Sequence, residues 1–179
     1  MNHEHGAFPG LLPILFGHNL WATRVLLERS RELSPEQFHR RFDIGPGSVH
    51  DALRHVVGAM LRWADRIGGR TVRRSIEKNG RQYTAEELLP LLAQADAELR
   101  AVADELTAQN RWSEVMEFTA DEGRTWRFTR ATAMMHVLTH GMHHRAQVLN
   151  MRRQLGLPPL GLDLDVVEWE CVQTGQLKT

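Results

Sequence analysis

The sequence contains a single cysteine, Cys171, among its 179 residues. One cysteine cannot form a disulfide within the chain, and it excludes a metal site built mainly from thiolates. Long hydrophobic runs are also missing, since no stretch approaches the roughly 18 uninterrupted apolar residues of a membrane-spanning helix. The N-terminus lacks the basic and apolar regions of a signal peptide. We therefore expect a cytoplasmic protein.

An excess of charge of either sign is also absent. The chain has 22 lysines and arginines and 22 aspartates and glutamates, so its net charge is zero. Proteins that bind nucleic acid or anionic membranes rely on a positive surface field, and we expect neither partner here. The 42% of hydrophobic residues is enough for one core, which predicts a single domain spanning residues 1–179.

Four segments repeat apolar residues at the three- and four-residue spacing of amphipathic helices. The predicted long helices run from Leu11 to about Glu32, from Val49 to about Ile67, from a capping box at Thr84 through Leu106, and from Thr129 or Thr132 through Arg153. Gly45-Pro46-Gly47 is expected to break the chain before the second of them. Four long helices predict a bundle, whose central space can hold a metal site.

Shorter elements are predicted between and after these helices. Ser34-Pro35-Glu36-Gln37 has the pattern of a capping box and should open a short helical turn. Aromatic residues flank Asp121-Glu122-Gly123 between Trp112 and Phe128, which indicates a small hairpin before the fourth long helix. A last short helix should follow Asp163 or Asp165. The predicted class is therefore all-α, with a small hairpin insertion.

Four of the ten histidines lie within nine residues of the fourth long helix, at His136, His140, His143 and His144. Judged singly, a histidine is more often a surface or hydrogen-bonded core residue than a metal ligand. His140 and His144, however, are one helical turn apart and can bind one ion without backbone strain. We expect His136 to have a packing or orienting role and His143 to face outward or form a hydrogen bond.

A third ligand has to come from another helix. The second long helix offers His50, in its first turn, and His55, which borders the apolar stripe near its middle. If the imidazole of His55 is buried, it needs a polar partner, and a metal ion would supply one. Periodicity alone leaves the choice between His50 and His55 open.

Several segments resemble the DinB (DNA-damage-inducible) family of DinB/YfiT-like metalloenzymes. The resemblance is carried by residues 140–148 (HGMHHRAQV) with Gly156-Leu157-Pro158-Pro159, by residues 18–22 (HNLWA), and by residues 53–57 (LRHVV) with Trp63 and Arg66. Order and spacing agree over nearly the whole chain. One departure is Ala146, where the family often has glycine; it lies beside the motif and leaves the ligand set unchanged.

The resemblance implies a fold and a set of ligands. Members of the family are up-down-down-up four-helix bundles, usually dimeric, in which one histidine of the second helix and two of the fourth bind a divalent ion. Carried over, the ligands are His55, His140 and His144, and a homodimer is expected. The family name implies neither DNA repair nor DNA binding.

The expected chemistry follows from the ligand set. Three imidazoles leave at least one coordination position open, as in catalytic sites, and zinc is the first choice, with nickel or iron also suited to nitrogen ligands. Several members of the resembled superfamily use a low-molecular-weight thiol such as mycothiol, bacillithiol or glutathione. The leading hypothesis is therefore a metal-dependent thiol S-transferase, or a related detoxification or stress-response enzyme, with a small-molecule thiol and an electrophile as partners.

Two other functions remain open. A metal-dependent hydrolase would need a carboxylate base, and no glutamate of the HExxH type accompanies the histidine pair. A non-catalytic metal or small-ligand binding protein is the third hypothesis, although four apolar helices should fold without an ion.

Several polar residues are candidates for contact with the cofactor. Asn19, Arg145 and Gln147 are the predicted cofactor-binding residues. Arg145 could bind a carboxylate of the thiol, as could Arg24 or Arg152, although such residues are usually solvated charges on a helix face. Asn19 and Gln147, together with Asp51, could orient an imidazole.

Overall fold

The computed structural model describes residues 10–119 and 123–177, which are mostly helical. In chain order the elements are α1 (Leu11–Ser30), α2 (Pro35–His39), α3 (Val49–Ile67), α4 (Ala85–Ala108), β1 (Val115–Thr119), β2 (Thr125–Thr129), α5 (Arg130–Gln154) and α6 (Val166–Gln173). The four long helices, the short hairpin and the last short helix were all predicted. Asp121 and Glu122, the predicted hairpin turn, lie outside the described residues.

The helix starts are where capping side chains satisfy free backbone N–H groups. Ser34 accepts a hydrogen bond from the Gln37 amide while Gln37 accepts one from the Ser34 amide, so the predicted capping box is confirmed. Thr84 and Glu87 form the same pair at the start of α4. Thr129 caps α5, which decides between the two predicted starts of that helix.

The long helices pack around one hydrophobic core. α1 and α3 each lie against both α4 and α5. In the arrangement of four helices, α1 is therefore diagonally opposite α3, and α4 is diagonally opposite α5. The largest fully buried apolar side chains come from all four helices: Leu26, Leu27, Leu53, Met60, Ile67, Leu88, Leu92, Leu99, Leu106, Met134 and Met151. The up-down-down-up order of helix directions stays a prediction.

The hairpin lies against α5 just before that helix begins. β1 and β2 are antiparallel, with Phe118 opposite Trp126 and Met116 opposite Phe128. Cross-strand partners share a face and alternate residues return to it, so these four apolar side chains occupy one face of the hairpin. None of the helices in the described parts of the chain combines the length and apolar composition needed to span a lipid bilayer.

The connection between α3 and α4, residues 68–84, is held by an ionic network. Arg73 donates to Asp65, at the end of α3, and to Glu98 of α4. These hydrogen bonds from Arg73 keep the pKa of the Asp65 carboxyl below its ordinary value of 3.8. The network ties this polar connection to the bundle and thereby places Glu77, four residues further on, beside α3.

Candidate metal centre

Three histidine side chains from two helices converge on one point. His55 extends from α3, and His140 and His144 extend from successive turns of α5. The Nε2 atom of His140 lies 3.1 Å from Nε2 of His55 and 3.0 Å from Nε2 of His144. One possible ligand atom from each of the three rings lies within 4.8 Å of the others, so the group could hold a metal ion.

Partners on the far side of two rings determine where their lone pairs point. His55 directs Nδ1 to a carboxylate oxygen of Glu77, and His144 directs Nδ1 to Oε1 of Gln147 at 2.8 Å. Because both partners accept hydrogen bonds, Nδ1 carries the proton in each ring and Nε2 of the neutral imidazole carries a lone pair. Two lone pairs therefore face the Nε2 atom of His140, which cannot donate to both.

His140 is in an environment that disfavours the imidazolium ion. Burial, followed by the effect of His144 and then His55, lowers the pKa of His140 to about 3. Burial also lowers the pKa of His144, although its hydrogen bond to Gln147 opposes the shift. Both rings are thus neutral at pH 7, which is the protonation state that a metal ligand requires.

The two nitrogen–nitrogen separations around His140 fit a tetrahedral ion. Zinc–nitrogen bonds of about 2.0–2.1 Å at tetrahedral angles separate two ligand nitrogens by about 3.3 Å. The separations of 3.0 and 3.1 Å around His140 are close to that value. A divalent ion would replace these two contacts, of which at most one can be a hydrogen bond, with a bond to each of the three nitrogens.

Glu77 is a member of this centre that sequence reasoning missed. Its carboxylate accepts hydrogen bonds from His55 and Arg62 and from the hydroxyl of Ser75. Burial alone would raise the pKa of Glu77, but the hydrogen bonds from these three side chains outweigh burial and hold that pKa well below its ordinary value. A carboxylate in this position fixes the orientation of a ligating imidazole and increases its basicity.

Gln147 lies beside His144, and a tight backbone turn packs against it. Its amide oxygen accepts from His144 and its amide nitrogen donates to His143 at 2.9 Å. Gly45 has a φ of +50°, and a Cβ at that position would lie only 2.0 Å from the Gln147 amide oxygen. The predicted break at residues 45–47 therefore packs against the residue that orients His144.

The side chains of Asn19 and Arg145 form hydrogen bonds with residues other than the three converging histidines. Arg145 is 3% exposed and donates to Asn19 at 2.6 Å and to Thr23 at 3.2 Å, both on α1. Gly141 permits this contact, because a Cβ there would lie 2.5 Å from the Asn19 amide oxygen. These side chains join α1 to α5, and their binding of a cofactor stays a prediction without support from any contact at the centre.

His50 and Asp51, which were also considered, form a separate group. His50 directs Nδ1 to Asp51 at 3.0 Å and is not among the three converging histidines. Asp51 therefore orients His50 and not a ligand.

The remaining candidates from the sequence also have defined positions. Arg24 is exposed, and Arg152 donates to the Arg29 carbonyl. His136 packs edge-on against Trp63, and His143 is exposed and accepts from Gln147.

A cavity of about 500 Å³ opens beside the histidines and is called the metal cavity below. Its walls include His55 and His140, the carboxylate of Glu77, and three basic residues. The basic residues are Arg62, Arg66 and Lys78. A small molecule in this cavity would lie beside two of the three histidines and within reach of positive charge.

Comparison with known proteins shows which family the chain resembles. The family model described as the DinB family matches residues 2–176, which is nearly the whole chain. One relative is the protein named Protein DinB of Bacillus subtilis (strain 168), which is 26% identical over 158 residues. The matched part covers 79% of this chain and 84% of that protein.

Proposed function

Because the chain belongs to the DinB family, and because three imidazole nitrogens converge beside a basic cavity, we propose that it is a divalent-metal-dependent thiol S-transferase. His55, His140 and His144 hold one ion, zinc in the first instance and nickel or iron as alternatives. The main support for this proposal is that the three Nε2 atoms converge while the Nδ1 atoms of His55 and His144 donate hydrogen bonds to acceptors on the far side of each ring.

The walls of the metal cavity support a thiol as the ligand at the open position. Low-molecular-weight thiols of the glutathione type carry carboxylates, and Arg62, Arg66 and Lys78 line the cavity next to the histidines. Arginine binds carboxylates through a planar pair of donors, and lysine attracts them as a point charge. These residues bind and orient the thiol so that its sulfur lies near the imidazoles.

The carboxylate in the cavity supports thiol chemistry over hydrolysis. Among the described residues that line the metal cavity, Glu77 is the one carboxylate. Its oxygens accept from His55, Arg62 and Ser75, and its low pKa makes it a poor proton acceptor. A general base works best when its pKa is near the working pH, so Glu77 acts as an orienting group and not as a base for water.

The overall reaction joins the thiol sulfur to an electrophilic carbon. His55, His140 and His144 would hold a divalent ion, which would supply a lowered pKa for a thiol bound there and so make the thiolate available at neutral pH. The sulfur–carbon bond forms as the leaving group departs with its electron pair, and the thiol proton passes to solvent. The chain's own residues hold the thiol by its carboxylates and keep His55 and His144 in the tautomer that leaves Nε2 free.

From the family resemblance we also propose that the long helices follow an up-down-down-up order, that the protein is a homodimer, and that its physiological role is detoxification or stress response. Size-exclusion chromatography with light scattering tests the proposed homodimer directly.

The first experiment measures metal content. Protein purified without a histidine tag should contain close to one divalent ion per chain by mass spectrometry of the metal, and His140→Ala should lose it. His143→Ala is the matched control, because this exposed histidine on the same helix is outside the converging group. Absence of bound metal in the parent, or full metal content in His140→Ala, contradicts the proposal.

The second experiment tests the reaction. Metal-loaded protein is incubated with glutathione, bacillithiol or mycothiol and with monochlorobimane, and fluorescence of the conjugate is followed. We expect turnover with one thiol, and loss of that turnover in His144→Ala but not in His143→Ala. Silence across the panel from protein that retains its metal would overturn the transferase assignment and favour a metal-binding role.

A further inference from the structure

A second cavity, of about 390 Å³, lies next to the metal cavity, between the hairpin and helices α3 and α5. It is called the aromatic cavity below. Four of its lining side chains are aromatic: Trp63 of α3, Phe118 of β1, and Trp126 and Phe128 of β2. Its volume is within the range of about 300–1,000 Å³ that is usual for small-molecule sites.

The hairpin register brings these rings to the cavity. Phe118 and Trp126 are cross-strand partners, and Phe128 is two residues beyond Trp126 on the same face. Trp126 remains 46% exposed, so part of this large ring is not covered by the core. The hairpin thus presents an apolar wall to an open space.

The two cavities share a wall. Trp63 and Phe118 line both of them, with ring centroids 5.4 Å apart. His136, at the floor of the aromatic cavity, lies with its ring 5.2 Å from Trp63 and 5.4 Å from the ligand candidate His140. A molecule bound between the aromatic rings would therefore contact His136, whose ring is next to that of His140.

The charge of the two cavities differs. Three basic residues line the metal cavity, whereas the described residues that line the aromatic cavity include no lysine, arginine, aspartate or glutamate. The guanidinium of Arg124 lies 5.3 Å from the centroid of the Trp126 ring. Aromatic side chains bind a planar ring by offset or edge-to-face stacking. An anionic thiol and an uncharged aromatic ring would accordingly occupy different cavities.

We propose that the aromatic cavity binds the planar, uncharged part of the electrophile, and that this protein acts on small aromatic electrophiles. The inference rests on the proposed function and adds the substrate class to it. A bound ring between Trp63 and Trp126 places an attached electrophilic carbon toward the metal cavity, where the thiol sulfur lies. The concave shape, and the two lining residues that it shares with the metal cavity, favour a small molecule over a protein segment as the occupant.

The kinetic test compares two electrophiles with the same reactive group. Phenacyl bromide and bromoacetone are both α-bromo ketones, and only the first has a phenyl ring. With either one, the thiolate sulfur bonds to the methylene carbon, bromide leaves with the electron pair, and the thiol proton goes to solvent. After division by the uncatalysed rates, kcat/KM should favour phenacyl bromide by at least about tenfold.

Variants of the hairpin connect this preference to the cavity. Trp126→Ala combined with Phe128→Ala should reduce the preference by about tenfold, mainly through KM for phenacyl bromide, and should affect the turnover of bromoacetone much less. Arg127→Ala is the matched control, because Arg127 lies between them on the other face of the hairpin and pairs with Glu117 at 3.3 Å. Trp126→Gln provides a second variant at a half-exposed position if the double variant does not fold.

An equilibrium measurement separates this inference from the proposed function. Acetophenone, which has the ring but no leaving group, is titrated into the metal-loaded protein and followed by ligand-observed NMR. We expect binding that Trp126→Gln weakens and that Arg127→Ala retains, even if no thiol is turned over. Absence of binding, equal binding by both variants, or a dimer that buries Trp126 would overturn the inference, whereas loss of turnover alone would affect only the transferase assignment.

Discussion

Two histidines of α3, His50 and His55, are oriented in the same way but have different surroundings. His50 directs Nδ1 to Asp51 and His55 directs Nδ1 to Glu77, so each ring has a carboxylate behind it. The Nε2 atom of His50 is buried and has no hydrogen-bond partner among the described residues. The Nε2 atom of His55 lies 3.1 Å from His140.

Both groups also contain a close pair of imidazoles. The His39 and His50 rings are 4.5 Å apart, and the His140 and His144 rings are 4.4 Å apart. His50 is only 1% exposed and packs edge-on against Phe38, whereas the other pair meets a third histidine beside an open cavity. A close pair with a carboxylate behind one ring is therefore not enough; a metal centre also requires a third converging nitrogen and access.

The largest expected difference in zinc affinity is between a variant that lacks His55 and one that lacks His50. His55→Ala should weaken zinc binding by at least about a hundredfold, because it removes one of three ligands to an ion whose binding energy is shared among them. His50→Ala should leave zinc affinity unchanged and instead lower the melting temperature, because it leaves a cavity in the core. Competition with a chromophoric chelator measures the affinities, and equal affinities in the two variants would contradict the comparison.

A smaller difference in zinc affinity is expected when the carboxylate behind each histidine, Glu77 or Asp51, is removed. Glu77→Ala should lower zinc affinity by about 10–100-fold, since it removes the acceptor that holds His55 in its ligating tautomer. Asp51→Ala should change zinc affinity by less than about twofold, because Asp51 orients a histidine outside the centre. The same chelator competition applies, and a stronger loss in Asp51→Ala than in Glu77→Ala would show that the two groups had been assigned the wrong way round.

The smallest effect concerns a carboxylate with a purely structural role. Asp65→Asn should reduce the free energy of unfolding by about 1 kcal/mol at pH 7, which is the difference between charged and neutral hydrogen bonds to Arg73. The pKa of the Asp65 carboxyl is lower in the folded state than its ordinary value of 3.8. Its negative charge therefore stabilises the fold at pH values above 3.8. That contribution is lost as the pH falls from this value through the lower pKa of the folded state.

Urea denaturation at several pH values measures the difference between the parent and Asp65→Asn. The difference should be largest near pH 7 and should shrink below about pH 4. Zinc affinity should be the same in both proteins. A difference that grows as the pH falls would have the wrong sign for a lowered carboxyl pKa.

Most of the secondary structure could be predicted because its causes are local. Ser34, Thr84 and Thr129 cap the helices that follow them, and the apolar spacing in between identifies the buried faces. The end of α1 was predicted near Glu32, but the helix ends at Ser30 because the Leu33 amide donates to the Ser30 carbonyl and turns the chain. Errors of this size are usual at helix ends.

The candidate site was only partly accessible from the sequence. His140 and His144 are one turn apart on a single helix, and such a pair can be recognised without knowledge of the packing. Glu77 gave no signal, since it lies in a polar connection 22 residues from the histidine it orients. Asn19 and Arg145, predicted to bind the cofactor, are 126 residues apart in the sequence, and only the packing of α1 against α5 shows that they form a hydrogen bond with each other.

By itself, the amino-acid sequence determined the helices, the hairpin and the α5 histidine pair, because neighbours in the chain are sufficient for caps, periodicity and a one-turn spacing. The family resemblance implied His55 of α3 as the third member, but only the tertiary structure decided that its ring reaches that pair and that Glu77 stands behind it. His55 and His140 are 85 residues apart, and their distance depends on how α3 and α5 are rotated against each other in the bundle. That rotation results from the packing of the whole core and from no local pattern.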